Sequence, residues 1–88
     1  MYIHLGQGTV VKEEEIIGIF DLDTSTVSKH TRKFLSLSEK NKEVINVSFE
    51  LPKSFVVCAN KENKNKVFIS QLSSTTLNKR SGFLDTFD

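Results

Sequence analysis

One segment decides what this chain can fold into. Glu13–Phe34 reads EEEIIGIFDLDTSTVSKHTRKF and passes from acid through an apolar run to base. Two foldings compete for it. If both halves are helical around a turn, the segment is a helix-turn-helix, and a second helix beginning near Thr26 presents Lys29, His30, Arg32 and Lys33 to DNA. If Ile16–Phe20 is a strand, only the basic half is helical and the chain is an α+β domain. A run of five such residues cannot be typed by periodicity, so composition must decide. The run is β-branched and aromatic, and Gly18 would weaken a helix by about 1 kcal/mol relative to alanine. A helix over 13–20 would also set the Glu13–Glu15 carboxylates against the phosphate backbone. The strand reading is the favoured one.

The flanking sequence agrees. Tyr2–Leu5 and Thr9–Val11 are short β-branched or aromatic runs around Gly6-Gln-Gly8, a turn that needs positive φ, so 2–12 reads as a hairpin. Asp23, Thr24 and Ser25 are competent N-caps for a helix over Thr26–Lys40. Its inner face is expected to be Val27, Thr31, Phe34, Leu35 and Ser38, with Lys29, Arg32, Lys33 and Ser36 elsewhere and Asn41-Lys42 ending it. Val44–Phe49 alternates, placing Ile45, Val47 and Phe49 inward and Asn46 and Ser48 outward on a half-buried strand. Pro52 breaks the chain before Ser54–Ala59, an apolar strand covered on both faces. A polar loop over 60–66 leads to a returning strand, Val67–Ile69. Ser73 or Ser74 caps a last helix that turns Leu77, Arg80 and Phe83 inward or along its seam, Gly82 closes it, and residues from 84 onward are expected to fray. Residues 1–88 therefore read as one α+β domain. It has a mostly antiparallel sheet of five to six short strands, one central helix and a short C-terminal helix.

Composition limits the function. In 88 residues, 38% of them hydrophobic, a core supplies about 3–5 kcal/mol of net stability, and burial between copies is a natural supplement. The single cysteine, Cys58, permits no intrachain disulfide; it reads as a small buried hydrophobe. His4 and His30 lie in different elements without ligand-spaced partners, Gly6-Gln-Gly8 precedes no helix, and Glu13–Glu15 is a solvated run exposed in either folding. No catalytic site, metal site or cofactor is expected. There is neither a leader pattern nor an apolar run near the ~18 residues of a membrane span, so the expectation is a cytoplasmic protein.

With a net charge of +1, the chain is no polyelectrolyte, and the placement of its bases matters more than their sum. Lys29, Arg32 and Lys33 follow the acidic segment, while Lys53, Lys61, Lys64 and Lys66 surround the strand Ser54–Ala59 and Lys79-Arg80 lie near the end. Lysines on sheet-edge loops can track phosphates without reading bases, and copies in an assembly multiply weak contacts.

Three stretches resemble the extracellular-matrix regulatory family, RemA and RemB, of Gram-positive bacteria: Tyr2–Val11, Ile16–Asp21, and Pro52–Val57 followed by Val67–Arg80. The similarity covers nearly the whole chain, and the openings Met1–Gly6 and Ile19–Asp21 are closer to the RemB branch. The resemblance implies a small α+β domain that assembles into a ring and, in the RemA branch, a transcription regulator of biofilm matrix genes that binds DNA through arginines along the ring. One such arginine falls on Lys53; a further arginine falls near Glu15, and an adjacent basic pair falls near Glu50 and Leu51. The expected function is a non-enzymatic homo-oligomeric regulator of matrix or developmental genes. Weak contacts to double-stranded DNA phosphates are assigned to Lys53, Lys29, Arg32 and Lys33. The alternative is an oligomeric module that binds a protein partner instead of DNA, with Glu13–Glu15 and Glu50 as its acidic face.

Overall fold

The computed structural model describes residues 2–22, 28–62 and 64–81. Strands β1 (Tyr2–Gly6) and β2 (Thr9–Lys12) make the expected hairpin. Its turn holds Gly6, Gln7 and Gly8 at φ of 112°, 50° and 80°. At Gly6 the positive φ is what calls for glycine; a Cβ there would also meet the end of the flexible Gln71 side chain at 2.7 Å.

Ile16–Asp21 is a strand, β3, which removes the first helix of a helix-turn-helix. After it come helix α1 (Lys29–Lys40), strands β4 (Val44–Asn46), β5 (Ser54–Ala59) and β6 (Asn65–Ser70), and helix α2 (Ser74–Ser81). The larger sheet has the order β3-β5-β6-β4. It is antiparallel at β3/β5 and β5/β6 and parallel at β4/β6.

The apolar run of β5 is buried on both faces, as its composition requires. Val56 and Cys58 join Ile3, Leu5, Val11, Val47, Phe68 and Leu77 on the hairpin side. Phe55 and Val57 join Val67 on the other side, where Leu22, Leu35, Val44 and Ile69 pack against them. The result is three layers: hairpin with α2, sheet, and α1. Two buried serines tie the layers together. Ser70 Oγ donates to the Leu5 carbonyl at 2.7 Å and accepts from the Leu72 N–H at 3.0 Å, and Ser54 Oγ donates to the Leu72 carbonyl at 2.7 Å. Ser73 caps α2 by accepting from the Thr76 N–H at 3.1 Å, which satisfies one of the orphan donors of a helix start.

Several local expectations change. The strand expected over Val44–Phe49 ends at Asn46, and only Val47 of its three inward residues is buried; Ile45 is 36% and Phe49 109% exposed. The reason is non-local. Past Val47, whose N–H donates to the Ile69 carbonyl, the chain turns to reach Lys53, whose N–H donates to the Ser70 carbonyl. Once off the ladder, alternation no longer dictates which side is buried. On α1, Ser38 is buried and Thr31 and Leu35 half-buried as expected, but Phe34 sits on the helix flank, 39% exposed. Ser28 holds the N-cap position with no side-chain cap bond; the expected caps at 23–25 and the helix start at 26–27 lie outside the described residues. The helix ends where expected, with Lys42 at φ 61° and the Glu43 N–H donating to the Ser38 carbonyl at 2.8 Å. Glu13–Glu15 form one turn of 3-10 helix in which Glu13 and Glu15 are half-buried rather than fully exposed. The polar loop is shorter than expected because Asn65 and Lys66 belong to β6. Gly82, Phe83 and the tail from 84 lie outside the described residues.

Candidate nucleic-acid interface

Helix periodicity places three of the four expected phosphate contacts together. Thr31, Leu35 and Ser38 point α1 toward the sheet, and Lys29, Arg32 and Lys33 stand exposed on the far side. At 3.6 residues per turn, Lys33 lies about 40° from Lys29 and Arg32 about 60° from it in the opposite sense. Lys40 continues the same line about 16 Å beyond Lys29, and it is exposed as well. The expected contacts did not include Lys40, although its spacing of eleven from Lys29 carries the helical signal. Among the described residues, no carboxylate is paired with Lys29, Arg32, Lys33 or Lys40.

This placement does not serve the helix. The first turn of α1 contains Lys29 and no acid, and a cation near the positive end of the helix dipole is unfavourable by roughly 0.3–1 kcal/mol. Bases and dipole therefore add to one positive potential at the start of α1.

Lys53 belongs to a different element. Its side chain is exposed, while its backbone is bound on both sides: its N–H donates to Ser70 at 2.9 Å, and its carbonyl accepts from the Leu22 N–H at 3.0 Å. It thus marks the end of β5 from which the chain leaves β3 toward α1. The structure brings the α1 bases onto one face, while Lys53 stands on a different element, directly before β5.

The loop lysines gather at the opposite end of β5. The six residues from Ser54 to Ala59 separate the two ends by about 17–20 Å. There Lys12, Lys64 and Lys66 line a cleft of about 290 Å³ with Tyr2, Glu15 and Cys58. Glu14 and Glu62 stand with Lys61 around the adjoining hollow, and Lys64 pairs with Glu62 at 3.6 Å, both side chains 74% exposed. This end is mixed in sign. A hydrogen bond involving its own backbone chiefly holds the Glu14 carboxyl below its usual value, and Lys12 and Lys61 act in the same direction. Burial, and then the Glu15 carboxylate, push the Cys58 thiol up to about 11, so it stays protonated and unreactive near neutrality. Arg80 donates from a guanidinium nitrogen to the His4 carbonyl at 3.1 Å, along the seam of α2 and the hairpin.

Of the acids expected where relatives carry bases, Glu15 belongs to the mixed end, next to the Ile16↔Cys58 pairing. Glu50 lies in the exposed turn that leads to Lys53, with its N–H donating to Ser48 Oγ at 3.0 Å. No group of three or more metal-ligating side chains occurs among the described residues, and no helix among them is long and apolar enough to cross a membrane.

A family model described as RemA-like, extracellular matrix regulatory protein A-like, matches residues 2–81. Extracellular matrix regulatory protein B of Bacillus subtilis (strain 168) is 40% identical over 88 residues, a span of 100% of this chain and 99% of that protein.

Proposed function

Because this chain belongs to the RemA-like family, we propose that it is a non-enzymatic, cytoplasmic regulator of extracellular-matrix or developmental gene expression that acts as a homo-oligomer and holds double-stranded DNA by its phosphates. The observation that carries the DNA contact is the outward stripe of α1, where Lys29, Arg32, Lys33 and Lys40 stand exposed among the described residues without a carboxylate partner. Lys53 adds a contact from the end of β5. None of these is set in a groove-reading recognition helix of a helix-turn-helix, so the contacts are directed to phosphates and carry little sequence information.

A handful of bases in one copy gives weak binding. Several copies on one scaffold raise it through effective concentration, and the surface favours such a scaffold: Ile17, Leu51 and Phe49 are 64%, 80% and 109% exposed. The test is a retardation titration on random-sequence duplex at ~50 mM salt, where counterion release is greatest, beside the mass in solution by sedimentation. Binding that falls steeply with salt supports the DNA reading, and a strict monomer overturns the self-association reading. An oligomer that ignores duplex at that salt leaves the second reading, a protein-binding module, which the exposed sequence Phe49-Glu50-Leu51 favours.

A further inference from the structure

We propose that the cleft between the hairpin and the loop end of β5 binds a small phosphorylated, amine-bearing aromatic ligand, a nucleoside monophosphate. The site is separate from α1 and Lys53, so it stands whether or not those bases hold DNA.

The cleft has a volume of about 290 Å³, at the lower end of the roughly 300–1,000 Å³ of small-molecule pockets. Its floor is core: Cys58 and Phe68 are 6% and 9% exposed, and both belong to the hairpin-side cluster. Side chains alternate along a strand, so Lys66, Phe68 and Ser70 share one row of β6. Phe68 and Ser70 are buried, whereas Lys66 is exposed. The neighbouring row of β5 is Ser54, Val56 and Cys58, all buried, and Cys58 is the register partner of Lys66. A lysine therefore ends a row that is otherwise filled by core, and where more core would have followed the cleft begins.

The opposite wall comes from the hairpin. Tyr2 and Lys12 are register partners across β1 and β2, which sets their side chains next to each other on one face, and both line the cleft. The Tyr2 side is open, 60% exposed. An aromatic face beside a base matches a nucleobase beside its phosphate. The base stacks on Tyr2, and Lys12 and Lys66 take the phosphate oxygens. Among the described residues neither lysine forms an ion pair with a carboxylate.

Two further groups select the ligand. Glu15 lines the cleft and is half-buried. An ionised carboxylate only accepts hydrogen bonds, so it suits the exocyclic amine of adenine or cytosine. Asn60 Oδ1 accepts from the Glu62 and Lys64 N–H groups at 2.9 and 3.0 Å; this fixes the amide and leaves Nδ2 to donate into the cleft. Charge limits the phosphates to one. The adjoining hollow carries Glu14, Glu15 and Glu62 against Lys12 and Lys61, so the outer phosphates of a triphosphate would meet more acid than base.

Calorimetric titration with adenosine monophosphate tests the site. Tyr2 emission locates it, because the chain has one tyrosine and no tryptophan. Expected are a dissociation constant on the order of 0.1 mM and a change in that emission. Inorganic phosphate, adenosine and adenosine triphosphate should each bind about 10-fold more weakly, and uridine monophosphate, which has no exocyclic amine, about 5-fold. Lys12→Ala and Lys66→Ala should each weaken binding about 5-fold, and Tyr2→Ala about 10-fold. All three side chains are exposed, so the variants should keep the wild-type melting temperature, and Lys66→Ala should hold duplex DNA as wild type does. Neither heat nor a change in emission up to ~5 mM overturns the site. Inorganic phosphate bound as tightly as the nucleotide also overturns it, since charge alone would then be attracting the ligand. So does unchanged affinity in both Lys66→Ala and Tyr2→Ala, or binding lost in Lys29→Ala, which would move the nucleotide to the α1 stripe. A Lys66→Ala variant that loses duplex overturns it too, because the cleft would then belong to the DNA surface. A wild type that binds the nucleotide and ignores duplex supports this site and overturns the phosphate reading of α1.

Discussion

Replacing Lys53 isolates one proposed phosphate contact from the fold. Its backbone N–H and carbonyl are committed to Ser70 and Leu22, and those bonds survive any change of side chain other than proline. The side chain is exposed, so a substitution removes charge without opening a cavity. At about 4 Å in a largely aqueous setting, an ammonium and a phosphate attract by roughly 1 kcal/mol, and a carboxylate in the same place repels by a similar amount. Lys53→Ala should therefore weaken duplex binding about 5-fold for each copy on the duplex, and Lys53→Glu about 30-fold. The dependence of log K on log salt should flatten by about 0.9 for each phosphate no longer neutralised. Fluorescence anisotropy on a labelled duplex between ~50 and ~200 mM salt measures both quantities. Equal affinity and slope in wild type, Lys53→Ala and Lys53→Glu, while Lys29→Ala weakens binding, would remove Lys53 from the interface. Equal values in all four proteins would refute phosphate binding by this surface.

Leu77→Ala empties a fully buried position between α2 and the hairpin and should cost about 2–5 kcal/mol in a urea titration, close to the whole stability of so small a core; a shift under ~1 kcal/mol would contradict the packing of α2. Ser70→Ala leaves the Leu5 carbonyl and the Leu72 N–H without a buried partner and should cost about 1–3 kcal/mol by the same titration. Cys58, with its thiol raised to about 11 from an ordinary 9.0, should react slowly with a thiol reagent at pH 8 when folded and rapidly in urea. Because the unfolded thiol loses its proton first, stability should fall as pH rises through the window from 9.0 to about 11. Cys58→Ala should lack that thiol-linked part of the fall. Lys40→Glu should weaken duplex binding as Lys29→Glu does, and a Lys40 variant indistinguishable from wild type would shorten the stripe to the start of α1.

Much of the architecture was written locally. Gly6 and Gly8 around Gln7 announced the hairpin because few residues adopt positive φ. The β-branched, glycine-broken Ile16–Phe20 could hardly persist as a helix, and the uninterrupted Ser54–Cys58 needed cover on both faces. The common face of Lys29, Arg32 and Lys33 was equally legible, since one helix fixes their angles. What the chain alone could not decide depends on partners distant in sequence. The parallel pairing of β4 with β6 follows from how the sheet is ordered, and with it comes the departure after Val47 that turns Phe49 out to solvent. Phe34 lies at the edge of a groove because α1 lies beside β3 and β5, and Lys53 stands about 17–20 Å from the loop lysines because β5 lies between them. Periodicity states which side chains share a side of one element. Which element covers that side is set by packing between segments, and among the described residues packing leaves Phe49 and Leu51 of the turn before β5, and Ile17, Phe20 and Phe34 beside α1, exposed.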